Sequence, residues 1–392
     1  MKKVLLSIIF TLAILVGLTA AFSTAVSADA DPGWPSGYAA GVVFAMTNAN
    51  PGNAVEMYTR LTDGSLSFDG SYPTGGNGFQ LAGPPDPLGS QKSLLLTPDG
   101  KWLLAVNGAS NTITVFKVNP GSLKVVTQVS SGGILPVSLT ISSNIVFVLN
   151  DGDSSNLGNI TGFNLSYNGN LYMIPGSTRW LPIGGAQAFG QVKYDNKGEW
   201  LVVTDKPDSE IIVYPVGWDQ MPVHNPVVTP QTNPNTPFAV YFDDYDNLLV
   251  VYVNQLTPTT FNGAVSSFKI DHDGSLDAIN TDYNGQAASC WITGYNGYVF
   301  TTNPGSMSIS AFSIKDGSGK VSLESATAAS GIGTIDEGVT NDGKFLYALG
   351  PAAGIYGFKI GHDGTLTSLN GGNPFGATQF SGNGFAQGLA VQ

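Results

Sequence analysis

The chain has 392 residues, with 50 glycines and 16 Lys+Arg against 28 Asp+Glu, a formal net charge of −12. An acidic balance of this size excludes the basic surface that nucleic acids and anionic membranes require. The lone cysteine, Cys290, excludes an intrachain disulfide and a cysteine-based zinc or haem site. Only 11% of the residues are charged, so the polarity resides in Asn, Ser, Thr and Gly, which suits an extracellular β-protein.

At the N-terminus Lys2 and Lys3 precede an apolar run over residues 4–18, and Val26-Ser27-Ala28 places small residues at a signal-peptidase site. The pattern predicts a signal peptide over 1–28 with cleavage after Ala28, and a secreted or cell-surface protein. The run falls short of the ~20 apolar residues that span a bilayer, so no transmembrane span is expected after cleavage. A lead-in over 29–39 and a single domain over 40–392 follow.

From there a hydrophobic run ending on a small turn-former recurs seven times: residues 43–48, 103–107, 146–150, 201–205, 248–254, 299–303 and 345–350. Five runs end on Asn, one on Asp205 and one on Gly350. Intervals of roughly 43 to 59 residues, with four strand-like runs in each, predict an all-β fold: a seven-bladed β-propeller with four antiparallel strands per blade. Turns such as Asp99-Gly100 and Asp342-Gly343 separate the first two strands, and Asp63-Gly64, Asn168-Gly169, Asp273-Gly274 and Asp363-Gly364 separate the last two. These are hairpins rather than calcium loops, because none has the longer run of oxygen ligands closed by Glu. Third strands end on an aromatic, as in Thr112-Ile113-Thr114-Val115-Phe116 and Ile309-Ser310-Ala311-Phe312. Residues 384–391 resemble a blade-opening strand with no blade behind it, and are expected to complete the first blade and close the ring.

The phrases Asp99-Gly100-Lys101-Trp102-Leu103-Leu104-Ala105-Val106-Asn107 and Ile355-Tyr356-Gly357-Phe358-Lys359-Ile360, the latter followed by Asp363-Gly364-Thr365-Leu366, resemble the seven-bladed lactonase family. That family includes 6-phosphogluconolactonase-like and fungal carboxymuconate-cyclase-like proteins, and the resemblance extends over nearly all of residues 40–391. It implies a catalytic set of a His opening the fourth blade, an Arg opening the next and a Glu ending that blade's second strand. Those positions fall here on Gly190, on Phe238 or its neighbour, and on Gln255, so the implied acid-base and cationic chemistry is replaced. An Asp common in the family at the end of the fourth blade's second strand is present as Asp205.

Lactone opening needs a base to activate water and donors for the oxyanion. His224, His272 and His362 lie in turns and supply neither. Asp205 and Glu337 are the catalytic candidates that remain. Gln91, Gln187, Gln191, Gln255 and Asp336 are candidate ligand-binding residues around the central channel. Adjacent strand residues point to opposite faces, so at most one of Asp336 and Glu337 is expected to enter the channel. No cofactor and no metal site are expected, and Arg and Lys are scarce at the strand openings. The sequons Asn159-Ile160-Thr161 and Asn164-Leu165-Ser166 are candidate glycosylation sites. The favoured reading is a non-catalytic binding, interaction or structural surface protein for a glycan, a peptide or a second copy of itself. The alternative is a lactone hydrolase or muconate-cyclase-type enzyme with a rearranged site.

Overall fold

The seven recurrent runs form the second strands of seven separate antiparallel sheets. The computed structural model describes residues 38–80, 86–181, 188–232, 235–257, 260–314, 317–380 and 385–392, with backbone only at 255–257 and 379. The expected signal peptide and cleavage site lie outside the described residues. Each sheet has four main strands, and Arg179–Trp180 and Thr260–Phe261 add short fifth strands to the third and fifth blades.

The innermost strands are Leu389–Val391, Leu94–Leu96, Pro136–Ser142, Phe189–Tyr194, Asn235–Phe242, Trp291–Tyr295 and Ile335–Val339. Each packs on the next, and the last packs on the first, so they enclose a central channel. As expected, the C-terminal strand closes the ring: Val43, Phe44 and Ala45 pair with Val391, Ala390 and Leu389. The first blade therefore draws strands from both ends of the chain.

Burial follows position in the blade. Second strands such as Trp102–Asn107 and Phe345–Gly350 are buried at every residue because neighbouring blades cover both faces. Outer strands such as Leu276–Tyr283 alternate towards solvent. The third-strand aromatics Phe116, Phe163, Tyr214 and Phe312 are fully buried between blades.

The Asp-Gly hairpins carry a second duty. Asp63 accepts both the backbone N–H and the hydroxyl of Ser65, and Gly64, at φ +85°, lies under the Phe345 ring of the last blade, where an added Cβ would come within 2.4 Å. Gly169 lies likewise against Trp102 of the second blade. A glycine is therefore needed for the turn and for the inter-blade contact.

The strand-ending asparagines are more than turn-formers. Asn107, fully buried, accepts hydrogen bonds from Thr74 Oγ1 at 2.6 Å and Asn53 Nδ2 at 3.0 Å, and donates to Thr114 Oγ1 at 3.0 Å. Asn303 accepts from Ser289 Oγ at 2.6 Å and donates to Ser308 and Ser310. Each carboxamide joins its own blade to the one before it, and its donor-plus-acceptor chemistry explains why Asn recurs. Asn159 is drawn into such a hub as well. It is 1% exposed, and its Oδ1 accepts from Asn150 Nδ2 at 3.0 Å. That corrects the expectation for this sequon, because a buried, bonded carboxamide has no room for a glycan; Asn164 is half-buried.

Candidate functional site at the mouth of the channel

Second strands end, and inner strands begin, on the same side of the ring, so the residues at both positions converge at one mouth of the channel. Residues 88–92 cross that mouth. Gln91, 2% exposed, forms a two-bond clasp with Ile292 of the sixth blade: its Nε2 donates to the Ile292 carbonyl at 2.8 Å, and its Oε1 accepts the Ile292 N–H at 3.0 Å. Its backbone N–H donates to the Gly190 carbonyl of the fourth blade at 3.0 Å, and its own carbonyl accepts from Ser138 Oγ of the third at 2.6 Å. The Ser90 carbonyl accepts from Trp291 Nε1 at 2.9 Å and Gln387 Nε2 at 2.7 Å. The segment leading into the second blade is thus bonded to the third, fourth and sixth blades and to Gln387 near the C-terminus.

The implied histidine position is closed sterically. A Cβ on Gly190 would lie 1.9 Å from the Phe238 carbonyl oxygen, which also accepts from Thr204 Oγ1 at 2.6 Å. Phe238, at the implied arginine position, is buried with its ring 4.9 Å from that of Trp291. Gln255 extends a strand that pairs with Phe261, and Gln187 lies outside the described residues. Gln191 is 1% exposed and uses its Oε1 to accept the Val240 N–H at 2.8 Å. Inner strands leave one backbone edge without a strand partner, and side chains from neighbouring blades satisfy it.

Asp336 and Glu337 are both fully buried, and Asp336 sits on a bulge at φ +47°. Asp336 accepts the N–H groups of Glu337 and Leu389, both at 2.9 Å, and burial lifts its pKa to about 6 against the opposing charge of Lys92. Glu337 has no hydrogen-bond partner in good geometry on either oxygen, although the backbone of Thr293 and Thr302 lies close by. Burial, with Asp336 beside it, raises its pKa well above the ordinary value.

Asp205 occupies the slot that is Asn in five other blades. It is 1% exposed, accepts the Asp208 N–H at 3.2 Å, and titrates at about 7, chiefly through burial and then through the charges of Asp208, Glu210 and Asp151. When ionised it cannot donate, and in that form it cannot play the Asn hub role.

Beside it lies a group that the sequence reading did not single out. The Lys206 ammonium donates to the Gly89 carbonyl and stands 4.5 Å from the centre of the Phe238 ring. Asp151 accepts the Phe189 N–H at 2.8 Å, and Asp86 accepts the Gly89 N–H at 2.8 Å. Burial raises both to about 6, with Lys206 opposing the shift in each. Cys290, buried nearby, has its thiol pushed up by burial and by Asp86. Asp151 and Lys206 each directly follow the residue that ends a second strand, Asn150 and Asp205, and a charge in that slot was a readable signal. The three histidines stay exposed in their turns. Among the described residues no group of three or more His, Cys, Asp or Glu is placed to hold a metal ion.

The ring is a seven-bladed β-propeller of antiparallel blades with four main strands each. Residues 89–174 match the family described as lactonase, 7-bladed β-propeller. Among solved structures the chain is similar to a candidate 6-phosphogluconolactonase from Bacteroides uniformis, at 17% identity and TM-score 0.62, covering 84% of this chain and 95% of that one. The periplasmic gluconolactonase of Pseudomonas aeruginosa is similar at 16% identity and TM-score 0.63, covering 90% and 99%. A hypothetical selenium-binding protein from Sulfolobus tokodaii is similar at 10% identity and TM-score 0.60, covering 92% and 94%. Identities this low show a shared fold, and the fold hosts more than one function. No curated protein matches this sequence.

Proposed function

We propose that the chain is an exported lactonase-type propeller that acts by binding, without hydrolysing lactones, and that its ligand is a glycan, a peptide or a second copy of itself. One observation carries the reading: the seat of the family's implied catalytic set is taken by the chain itself, with Gln91 clasped to Ile292 and bonded to Gly190, where no side chain fits. The Lys pair, apolar run and Val-Ser-Ala site at the N-terminus support export. Among the described residues no helix is long and apolar enough to cross a membrane.

The test is purified protein, residues 29–392, against a panel of lactones including 6-phosphogluconolactone. No turnover above background is expected, since loss of a positioned base alone costs about 10²–10⁴-fold in rate. Robust turnover would end this reading.

A second reading is favoured by the mouth itself. Asp86 and Asp151, with pKa values near 6, flank the Lys206 ammonium, which is the pairing of base and oxyanion partner that lactone opening requires. In a hydrolase with this rearranged site, Asp151→Asn and Lys206→Met abolish turnover. Glu337→Gln, remote from solvent, leaves it intact, and Asp205→Asn reports on the candidate acid identified from sequence.

A further inference from the structure

The last blade is short of strand, and the shortfall builds a cavity. Its outer strand, Leu366–Ser368, pairs only with Phe358, Lys359 and Ile360, and the chain then turns through Asn370–Gly372, with Gly371 at φ +63°. The outer strand of the neighbouring sixth blade, Val321–Ser330, runs for ten residues. Between the two lies a cavity of about 230 Å³ at the rim, away from the channel mouth. Its lining includes the buried Phe358 and Ile332, the apolar Ala328, Ala329 and Leu369, and the polar Ser330, Ser368, Asn373 and half-buried Tyr356.

The lining defines what fits. None of the lining residues is charged, so the cavity offers nothing to an ion that would offset its desolvation. The volume lies below the range of about 300–1,000 Å³ that holds drug-sized ligands and suits one small ring. An aromatic ring and apolar walls meet the C–H face of such a ring, while two serine hydroxyls, a carboxamide and a phenol meet hydroxyl groups on its edge. Burial raises the Tyr356 pKa, so its phenol stays protonated and can donate.

We propose that this inter-blade cavity binds one neutral monosaccharide unit, free or at the end of a glycan, with its ring against Tyr356 and its hydroxyls on Ser330, Ser368 and Asn373. The proposal rests on the binding reading above and names its ligand class.

Ligand-observed NMR of the protein with D-glucose, D-galactose, D-mannose and N-acetylglucosamine, and with cyclohexanol as an apolar ring, is the test. Saturable binding of at least one sugar, about tenfold weaker in Tyr356→Ala and absent in Ser330→Trp, is the expected result. Thermal unfolding confirms that each variant is folded, and the exposed position of Ser330 makes its variant informative should Tyr356→Ala unfold. Binding of none of the four sugars, binding of cyclohexanol alone, or sugar binding unchanged in both variants would overturn the proposal. Lactone turnover concerns the channel mouth, so it sinks the non-hydrolytic reading without touching this result, and failure of sugar binding leaves that reading standing.

Discussion

Asp336 of the seventh blade holds Leu389 of the C-terminal strand: its Oδ2 accepts the Leu389 N–H at 2.9 Å while its Oδ1 accepts the N–H of Glu337 next to it. The contact matters because the last eight residues supply the innermost strand of the first blade, and nothing covalent joins them to it. Removing residues 385–392 is therefore expected to abolish cooperative thermal unfolding followed by circular dichroism. Asp336→Ala, which leaves a buried N–H unpaired, is expected to lower stability by about 1–3 kcal/mol. A truncated protein that melts like the full chain would show that the ring does not depend on this strand.

Gly190 gives the second prediction. Restoring a histidine there does not restore an active site, because even the Cβ of Gly190→Ala meets the Phe238 carbonyl at 1.9 Å. A backbone oxygen cannot move aside as a flexible side chain does, so the alanine variant is expected to lose about 3 kcal/mol or more in denaturant unfolding. A variant within 0.5 kcal/mol of wild type would mean that the neighbouring strands separate easily.

The third concerns pH. Asp86, Asp151 and Asp336 titrate near 6 and Asp205 near 7, all raised mainly by burial, against about 3.9 in an unfolded chain. Between those values the folded state binds more protons than the unfolded one, so stability is greatest at the acid end and falls as pH rises from about 4 to about 7. Lys193, depressed to about 8 by burial and by Lys92, acts in the opposite sense and only above that window. The melting temperature is expected to be higher at pH 5 than at pH 7.5, and the reverse order would contradict the burial of these acids.

Asp205→Asn separates structure from chemistry in the fourth prediction. Asparagine fills this slot in five other blades and carries no charge to bury, so the substitution is expected to leave the melting temperature at pH 7.5 unchanged or raised, and to flatten part of the pH dependence. A marked fall in stability would assign Asp205 a structural bond beyond the one to Asp208.

The fifth prediction is export with cleavage after Ala28, checked by N-terminal sequencing of the secreted protein. An intact Met1 on that material would exclude it.

The number of blades, the four-strand units and the closing role of the C-terminal strand were legible in the sequence, because each is written locally. Apolar runs such as 103–107, Asp-Gly turns with positive φ, and aromatic-ended third strands repeat at regular intervals whatever the rest of the chain does. Local periodicity could not reveal which residues meet across the ring. Gln91 and Ile292 are two hundred and one positions apart, and only closure of seven blades brings that carboxamide onto that backbone. The same closure sets Asp86 and Asp151 beside Lys206, buries Glu337 completely, and shuts Gly190 against Phe238. The bulge at Asp336, with its positive φ, is likewise invisible to the alternation of apolar and polar residues. Secondary structure here depends on neighbours a few residues away, whereas burial, charge pairing and access depend on distances in space, and those exist only once the ring is closed.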